Sequence, residues 1–204
     1  VEIDLSDISP QSRYFLMTQT VIPRPIAWVL TRNVSGSFNL APFSYFNAVC
    51  SDPPLLMFSV GMGDGGGPKD TRANVEREGA FVVNIVDAPR IEQMNQSSAS
   101  EEYGVSEVDK LGIDVCPLGD LGIPRLAASP VSFSCSLYQT LEIGKSRQLL
   151  VFGEIRRVHL SDDVASVGPD GRVRVDAARV NPVGRLGAGE YMLKGEILRL
   201  KRPA

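Results

Sequence analysis

Between residues 26 and 41 the chain reads Ile26-Ala27-Trp28-Val29-Leu30-Thr31, then Arg32-Asn33-Val34-Ser35-Gly36-Ser37, then Phe38-Asn39-Leu40-Ala41. An apolar run, a cluster of turn formers and a second partly apolar run make a β-hairpin, with the Asn/Ser/Gly cluster supplying the reversal. Strand signals continue outward from it. Pro53-Pro54 introduces Leu55-Leu56-Met57-Phe58-Ser59-Val60, a near-continuous apolar run suited to a strand buried on both faces. Ala80-Phe81-Val82-Val83-Asn84-Ile85-Val86 is another. Val131, Phe133, Cys135 and Leu137 alternate with Ser132, Ser134 and Ser136, the pattern of a half-buried strand. A longer strand spans 149–160, with Gly153 as a bulge or close-approach point. Pro169-Asp170-Gly171 marks a hairpin turn.

Helices are fewer. The segment 71–78 reads as a short helix with Asp70 or Thr71 near its N-cap and Gly79 as its stop. Asp87-Ala88-Pro89 opens a second helix over 89–96. Residues 97–129, with many Ser, Glu, Gly and Pro, predict a helix-and-loop excursion with a helix candidate at 106–111. Helices do not alternate regularly with strands, as a parallel α/β sheet would require. The expected fold is therefore mainly β, an antiparallel barrel with attached helices in a single domain over residues 1–204.

Composition narrows the function. The 204 residues are 43% hydrophobic and 22% charged, which suits a globular domain with a sizeable core. A net charge of -3, with basic residues scattered apart from Arg199, Lys201 and Arg202, leaves no footprint for nucleic acid. Cys50, Cys116 and Cys135 lack CxxC spacing and read as buried hydrophobes in a reducing compartment. With His159 the sole histidine, metal chemistry is poorly supplied, and hydrolysis lacks a G-x-S-x-G elbow. No apolar run approaches a membrane span, and Val1-Glu2-Ile3-Asp4-Leu5 has no basic start. The expectation is a cytoplasmic protein.

Two segments could carry chemistry. Residues 61–71 join Gly61, Gly63, Gly65, Gly66 and Gly67 to Pro68-Lys69-Asp70-Thr71. Glycines let backbone N–H groups converge, a helix start favours an anion, and Lys69 and Thr71 add a charge and a hydroxyl. These are the parts of a phosphate cradle, though neither GxxxxGK[ST] nor GxGxxG is present, and an ordinary loop and helix start reads the same way. In the second, Asn39-Leu40-Ala41-Pro42-Phe43-Ser44-Tyr45-Phe46-Asn47, Pro42 interrupts the ladder among apolar and small polar residues. Such a wall can hold a flat aromatic ring, or it is an irregular edge strand with core aromatics. By spacing, Trp28 reads as core, and Arg24 between Pro23 and Pro25 as a solvated or interface charge. The acidic residues near 100–110 read as a solvated face, and His159 as a hydrogen-bonded surface or interface residue.

Pro23-Arg24-Pro25-Ile26-Ala27-Trp28-Val29, the stretch Asn39 to Asn47, Asp52-Pro53-Pro54, Lys69-Asp70-Thr71 and Phe81-Val82-Val83-Asn84 follow in this order. Together they resemble the flavin reductase-like family of FMN-binding split-barrel proteins. Gly153-Glu154-Ile155 through His159, and Pro182-Val183-Gly184-Arg185-Leu186-Gly187 before Tyr191, are similar to it as well. The likeness covers residues 13–195, and its specific part is the front half. It implies an antiparallel split β-barrel and a homodimer with FMN near the subunit interface. It also implies that Trp28, Ala41, Pro42, Phe43, Ser44, Tyr45 and Asn47 border the isoalloxazine and ribityl groups, with Asn39 heading the same cofactor-binding wall. Ser59, Lys69 and Thr71 would hold the phosphate. His159, Arg185 and Tyr191 would complete the pocket, from either subunit.

The activity so implied is an NAD(P)H-dependent flavin reductase, with NADH or NADPH giving hydride to flavin N5 and no side chain required as acid or base. The same residues fit an FMN-binding electron-transfer module reduced by a partner protein, because no nicotinamide signature is present. A flavin-free barrel that binds another ligand is the third reading.

Overall fold

The computed structural model describes every residue except Asp64, Lys194, Arg202 and Ala204, so Arg202 of the basic tail lies outside the described residues. The chain opens with helix α1 (Pro10–Thr20), capped by Ser9. Five strands follow: β1 (Arg24–Pro25), β2 (Ala27–Arg32), β3 (Phe38–Phe43), β4 (Phe46–Ser51) and β5 (Pro54–Val60). Helix α2 (Asp70–Glu78), strand β6 (Ala80–Ile85), and helices α3 (Ile91–Gln96) and α4 (Glu107–Lys110) come next. Strands β7 (Val115–Cys116) and β8 (Arg125–Leu126) form a small hairpin inside the expected excursion. Two long strands, β9 (Val131–Ile143) and β10 (Gln148–Leu160), precede the hairpin of β11 (Ala165–Val167) and β12 (Val173–Val175). Helix α5 (Ala177–Val180) and strands β13 (Gly184–Arg185) and β14 (Tyr191–Met192) complete the set.

Seven strands make one antiparallel sheet in the order β3-β2-β6-β9-β10-β5-β4, which curls until β3 lies against β5. The period-two alternation of β2 explains its unbroken apolar run. Ala27 and Val29 point into the barrel with Phe58, Val60, Phe81 and Val151. Ile26, Trp28 and Leu30 point the other way, against Met94, Val108, Ile123 and Leu126 of the excursion. Both faces are therefore dry.

Elsewhere the structure amends the expectations. In β5 only Leu55, Leu56, Phe58 and Val60 are buried, while Met57 and Ser59 are half-buried, so the second face is not fully covered. Ser132 and Ser134 do not face water: both are 0% exposed, because the excursion covers their side of β9. There Ser132 Oγ donates to Asn84 Oδ1 at 2.8 Å, which also accepts Leu126 N–H at 3.1 Å. The cap of α2 is Lys69, with Asp70 the first helical residue, and Gly79 ends the helix at φ 65. Of the three cysteines only Cys135 is buried, and desolvation pushes its thiol pKa well up. Cys50 is exposed and Cys116 half-buried.

Gly153 plays both expected parts. The β9–β10 register shifts between Phe152 and Gly153, and a Cβ at 153 would overlap the Phe81 ring and sit 3.2 Å from Cys135 Cβ. Arg24 is 6% exposed and not a solvated charge. Its guanidinium donates to Thr18 O and Val21 O at 2.6 Å each, to Leu186 O at 3.0 Å and to Ser44 Oγ at 3.3 Å. Carbonyl oxygens, not a carboxylate, satisfy that buried cation. Among the described residues no helix is long and apolar enough to cross a membrane.

Candidate functional site

A cleft of about 700 Å³ opens where β3, the start of α2 and the excursion meet. Its first wall is Asn39, Ala41, Pro42 and Phe43 on β3. That strand is an edge of the sheet, which makes room for proline. Leu40 N–H faces away from β2, toward Glu107, and Pro42 shares its parity, so the missing N–H takes nothing from the ladder. The floor is the glycine loop and Lys69, Asp70 and Thr71. The loop is folded by Gly63 N–H to Gly67 O at 2.8 Å and Gly66 N–H to Gly63 O at 2.9 Å.

The second wall runs from Ser97 to Glu107 and includes Glu101 and the exposed Tyr103. It has no strand of its own. Instead Trp28 Nε1 donates to Ser97 Oγ at 2.9 Å, and Asp70 Oδ2 accepts Gly104 N–H at 3.2 Å while Asn33 Nδ2 donates to Gly104 O at 3.2 Å. Ser106 Oγ donates to Phe38 O at 2.8 Å, and Glu107 Oε2 accepts Leu40 N–H at 2.9 Å. Glu107 is thus buried, not part of a solvated acidic face. Burial raises its pKa against the lowering effect of Leu40 N–H, and the nearby Asp70 and Glu101 charges raise it further. Burial likewise raises Asp70, whose Oδ1 has no hydrogen-bond partner among the described residues. At the other side of the floor Lys69 is exposed and, among the described residues, has no ion-pair partner.

A family model described as flavin reductase like domain matches residues 17–170. The chain belongs to the flavin reductase like family. The 2-nitrobenzoate 2-nitroreductase NbaA of Pseudomonas fluorescens is similar at TM-score 0.87 and 32% identity, over 100% of this chain and 96% of that one. Nitrilotriacetate monooxygenase component B of Bacillus cereus gives TM-score 0.89 at 28% identity, over 98% of each chain. A Shewanella frigidimarina protein with a split barrel domain, at TM-score 0.81 and 21% identity over 97% of this chain and 96% of that one, shares the fold. The split β-barrel expectation stands, and the chemistry of this flavin reductase-like chain is flavin-related oxidoreduction.

Within one flavin reductase-like chain the cleft gathers Asn39, Ala41, Pro42, Phe43, Lys69 and Thr71 of the residues expected at the site. The others lie outside its lining. Trp28 stands behind the second wall, 1% exposed in the core. Ser44 accepts from Arg24, whose guanidinium also lies 5.9 Å from the Tyr45 ring centre. Asn47 is exposed on β4, its Oδ1 accepting Ala48 N–H. Ser59 Oγ is bonded to Gln148 at 3.1 Å. His159 is half-buried on β10, with its pKa lowered by burial and by Arg125. The Arg185 guanidinium stacks 4.5 Å over the Tyr191 ring, and Tyr191 Oη is bonded to Asn95 Oδ1 at 3.1 Å. Sequence reasoning missed Ser97, Tyr103 and Glu107 as cleft residues. The Ser106 cap marks the start of α4 but says nothing about which strand edge the next residue meets.

Proposed function

We propose that this chain binds FMN in the cleft and acts as an NAD(P)H-dependent flavin reductase. One observation carries the reading: an apolar wall, the N-terminus of a nine-residue helix and a lysine with no ion-pair partner among the described residues converge on one cleft. The residues present suit the group. Ala41, Pro42 and Phe43 offer apolar surface to a planar ring, and the α2 terminus with Lys69 offers N–H groups and positive charge to a phosphomonoester. Among the described residues the buried acceptor Asp70 Oδ1 lacks a donor, which a hydroxyl or imide N–H would supply.

FMN supplies reversible hydride and electron chemistry when bound. The chain's own residues bind and orient it. Lys69 and the α2 start would fix the anionic end, β3 one side of the ring, and the 97–107 wall would limit water access. The nitroreductase and monooxygenase-component names of the similar structures support a redox role. Homodimerisation is part of the proposal, supported by the exposed Tyr14, Phe15, Met17 and Val49, which a second copy would cover.

The purified protein mixed with FMN should show a perturbed flavin absorbance spectrum and should oxidise NADH or NADPH above the free-flavin background. No oxidation of either donor ends the reductase reading. Reduction of bound FMN only after a second protein is added would assign the chain to electron transfer instead.

A further inference from the structure

Beneath the cleft floor lies a continuous chain of buried side-chain hydrogen bonds. Thr31, Asn33, Asn39, Thr71 and Asn74 are all at least nine-tenths buried. Its polarity can be read from the end that is chemically unambiguous. Arg77 Nη1 donates to Asn74 Oδ1 at 2.9 Å, and a guanidinium can only donate. The Asn74 amide therefore turns its Nδ2 inward, giving its two protons to Asn33 Oδ1 at 2.8 Å and Thr31 Oγ1 at 3.1 Å. Asn33 is fixed independently, since its Nδ2 reaches the Gly104 carbonyl. Asn39 presents its Nδ2 to both threonine hydroxyls, Thr31 Oγ1 at 3.0 Å and Thr71 Oγ1 at 2.9 Å.

The Thr71 hydroxyl thus accepts within the network, and among the described residues its own proton has no acceptor. Thr71 and Asn39 both line the cleft, and Thr71 is only 1% exposed, so just a group seated on the floor reaches it. We infer that Asn39 is a positioning residue. It holds Thr71 as a hydrogen-bond donor toward the ligand, which gives a charge-assisted bond to an anionic phosphomonoester and only a weaker one to a neutral hydroxyl. This rests on the proposed FMN site and names what sets its preference for the phosphorylated flavin.

The test is a double-mutant cycle read by titration of FMN and of riboflavin, with thermal unfolding as the control for folding. Thr71→Val should weaken FMN binding about tenfold or more while leaving riboflavin nearly unchanged, the scale of a lost hydrogen bond to a charged group. Asn39→Asp, whose side chain can only accept, should turn the Thr71 proton inward and cause a similar loss. In the Thr71→Val background the same change should then add little. An equal loss with and without Thr71 would mean that the new charge repels the phosphate directly, and would overturn the inference. So would an unchanged FMN-to-riboflavin preference in Asn39→Asp, because Asn39 would then be presenting its oxygen. If Asn39→Asp does not fold, Asn39→Leu serves: its effect on the preference must also vanish without Thr71. Wild-type protein that binds neither flavin sinks the functional reading itself. Wild-type protein that binds both equally sinks only the phosphate selection argued here.

Discussion

Strand β3 enters the cleft paired with β2 along its length, from Ala27↔Phe43 to Arg32↔Phe38, with the barrel core behind it. The wall facing it, residues 97–107, pairs with no strand there; its contacts to the rest of the chain include side-chain bonds at Ser97, Ser106 and Glu107 and two at Gly104. Moving the first wall means breaking a ladder and opening a packed interior. Moving the second means releasing bonds that contribute about 1 kcal/mol each, which local fluctuations can do. The molecule pairs a fixed face of the cleft with a facing strap that is held more loosely.

The heaviest blow falls on the fixed side. Gly153→Val forces a side chain into the Phe81 ring deep in the barrel. It should cost about 3 kcal/mol and lower Tm by on the order of 10 °C in thermal unfolding. A variant as stable as the parent would show that the barrel wall yields as readily as the strap.

Lys69→Ala comes next. It should weaken FMN binding by about 1–3 kcal/mol, with Tm unchanged because the ammonium is exposed and has no ion-pair partner among the described residues. Equal affinity for FMN would remove Lys69 from the site.

Ser106→Ala deletes both the cap of α4 and a bond to β3. Amide exchange across 97–111 should speed by roughly fivefold, about 1 kcal/mol, with the β2–β3 ladder unaffected. If strap and strand accelerate together, the two walls are one unit.

Glu107→Gln is the gentlest change, since a carboxamide oxygen can still accept Leu40 N–H. The carboxyl pKa lies above its ordinary value of 4.5, chiefly through burial, so the fold favours the protonated form. That contribution is complete below 4.5 and is lost as pH rises through the folded-state value. The variant should therefore match or exceed the parent's Tm at pH 7 and show a flatter rise in stability on acidification from there. A Glu107→Gln curve parallel to the parent's would show that Glu107 is not the group responsible.

What could be read in the sequence divides along the same line. The β2–β3 hairpin, the bulge at Gly153 and the Pro169-Asp170-Gly171 turn were legible because alternation, turn chemistry and glycine act over a few residues. So were the parts of the floor, Lys69 and Thr71, which share one short segment. Glu107, by contrast, carries no local mark of burial; what buries it is Leu40, far back in the chain. Ser132 and Ser134 looked solvent-facing because their cover comes from the excursion around Leu126, whose packing no periodicity announced. Trp28 is a divided case. Spacing placed it in the core, where it lies, and the family resemblance drew it toward the ring.

Arg24 has a consequence for anyone shortening or extending this protein. Its acceptors come from the last turn of the first helix and the residue after it, and from Leu186, far along the sequence, so the cation is shared by two distant stretches of chain. Trimming through either one would leave a full positive charge stranded away from water, and the damage would surface at the opposite terminus and at the Ser44 corner between them.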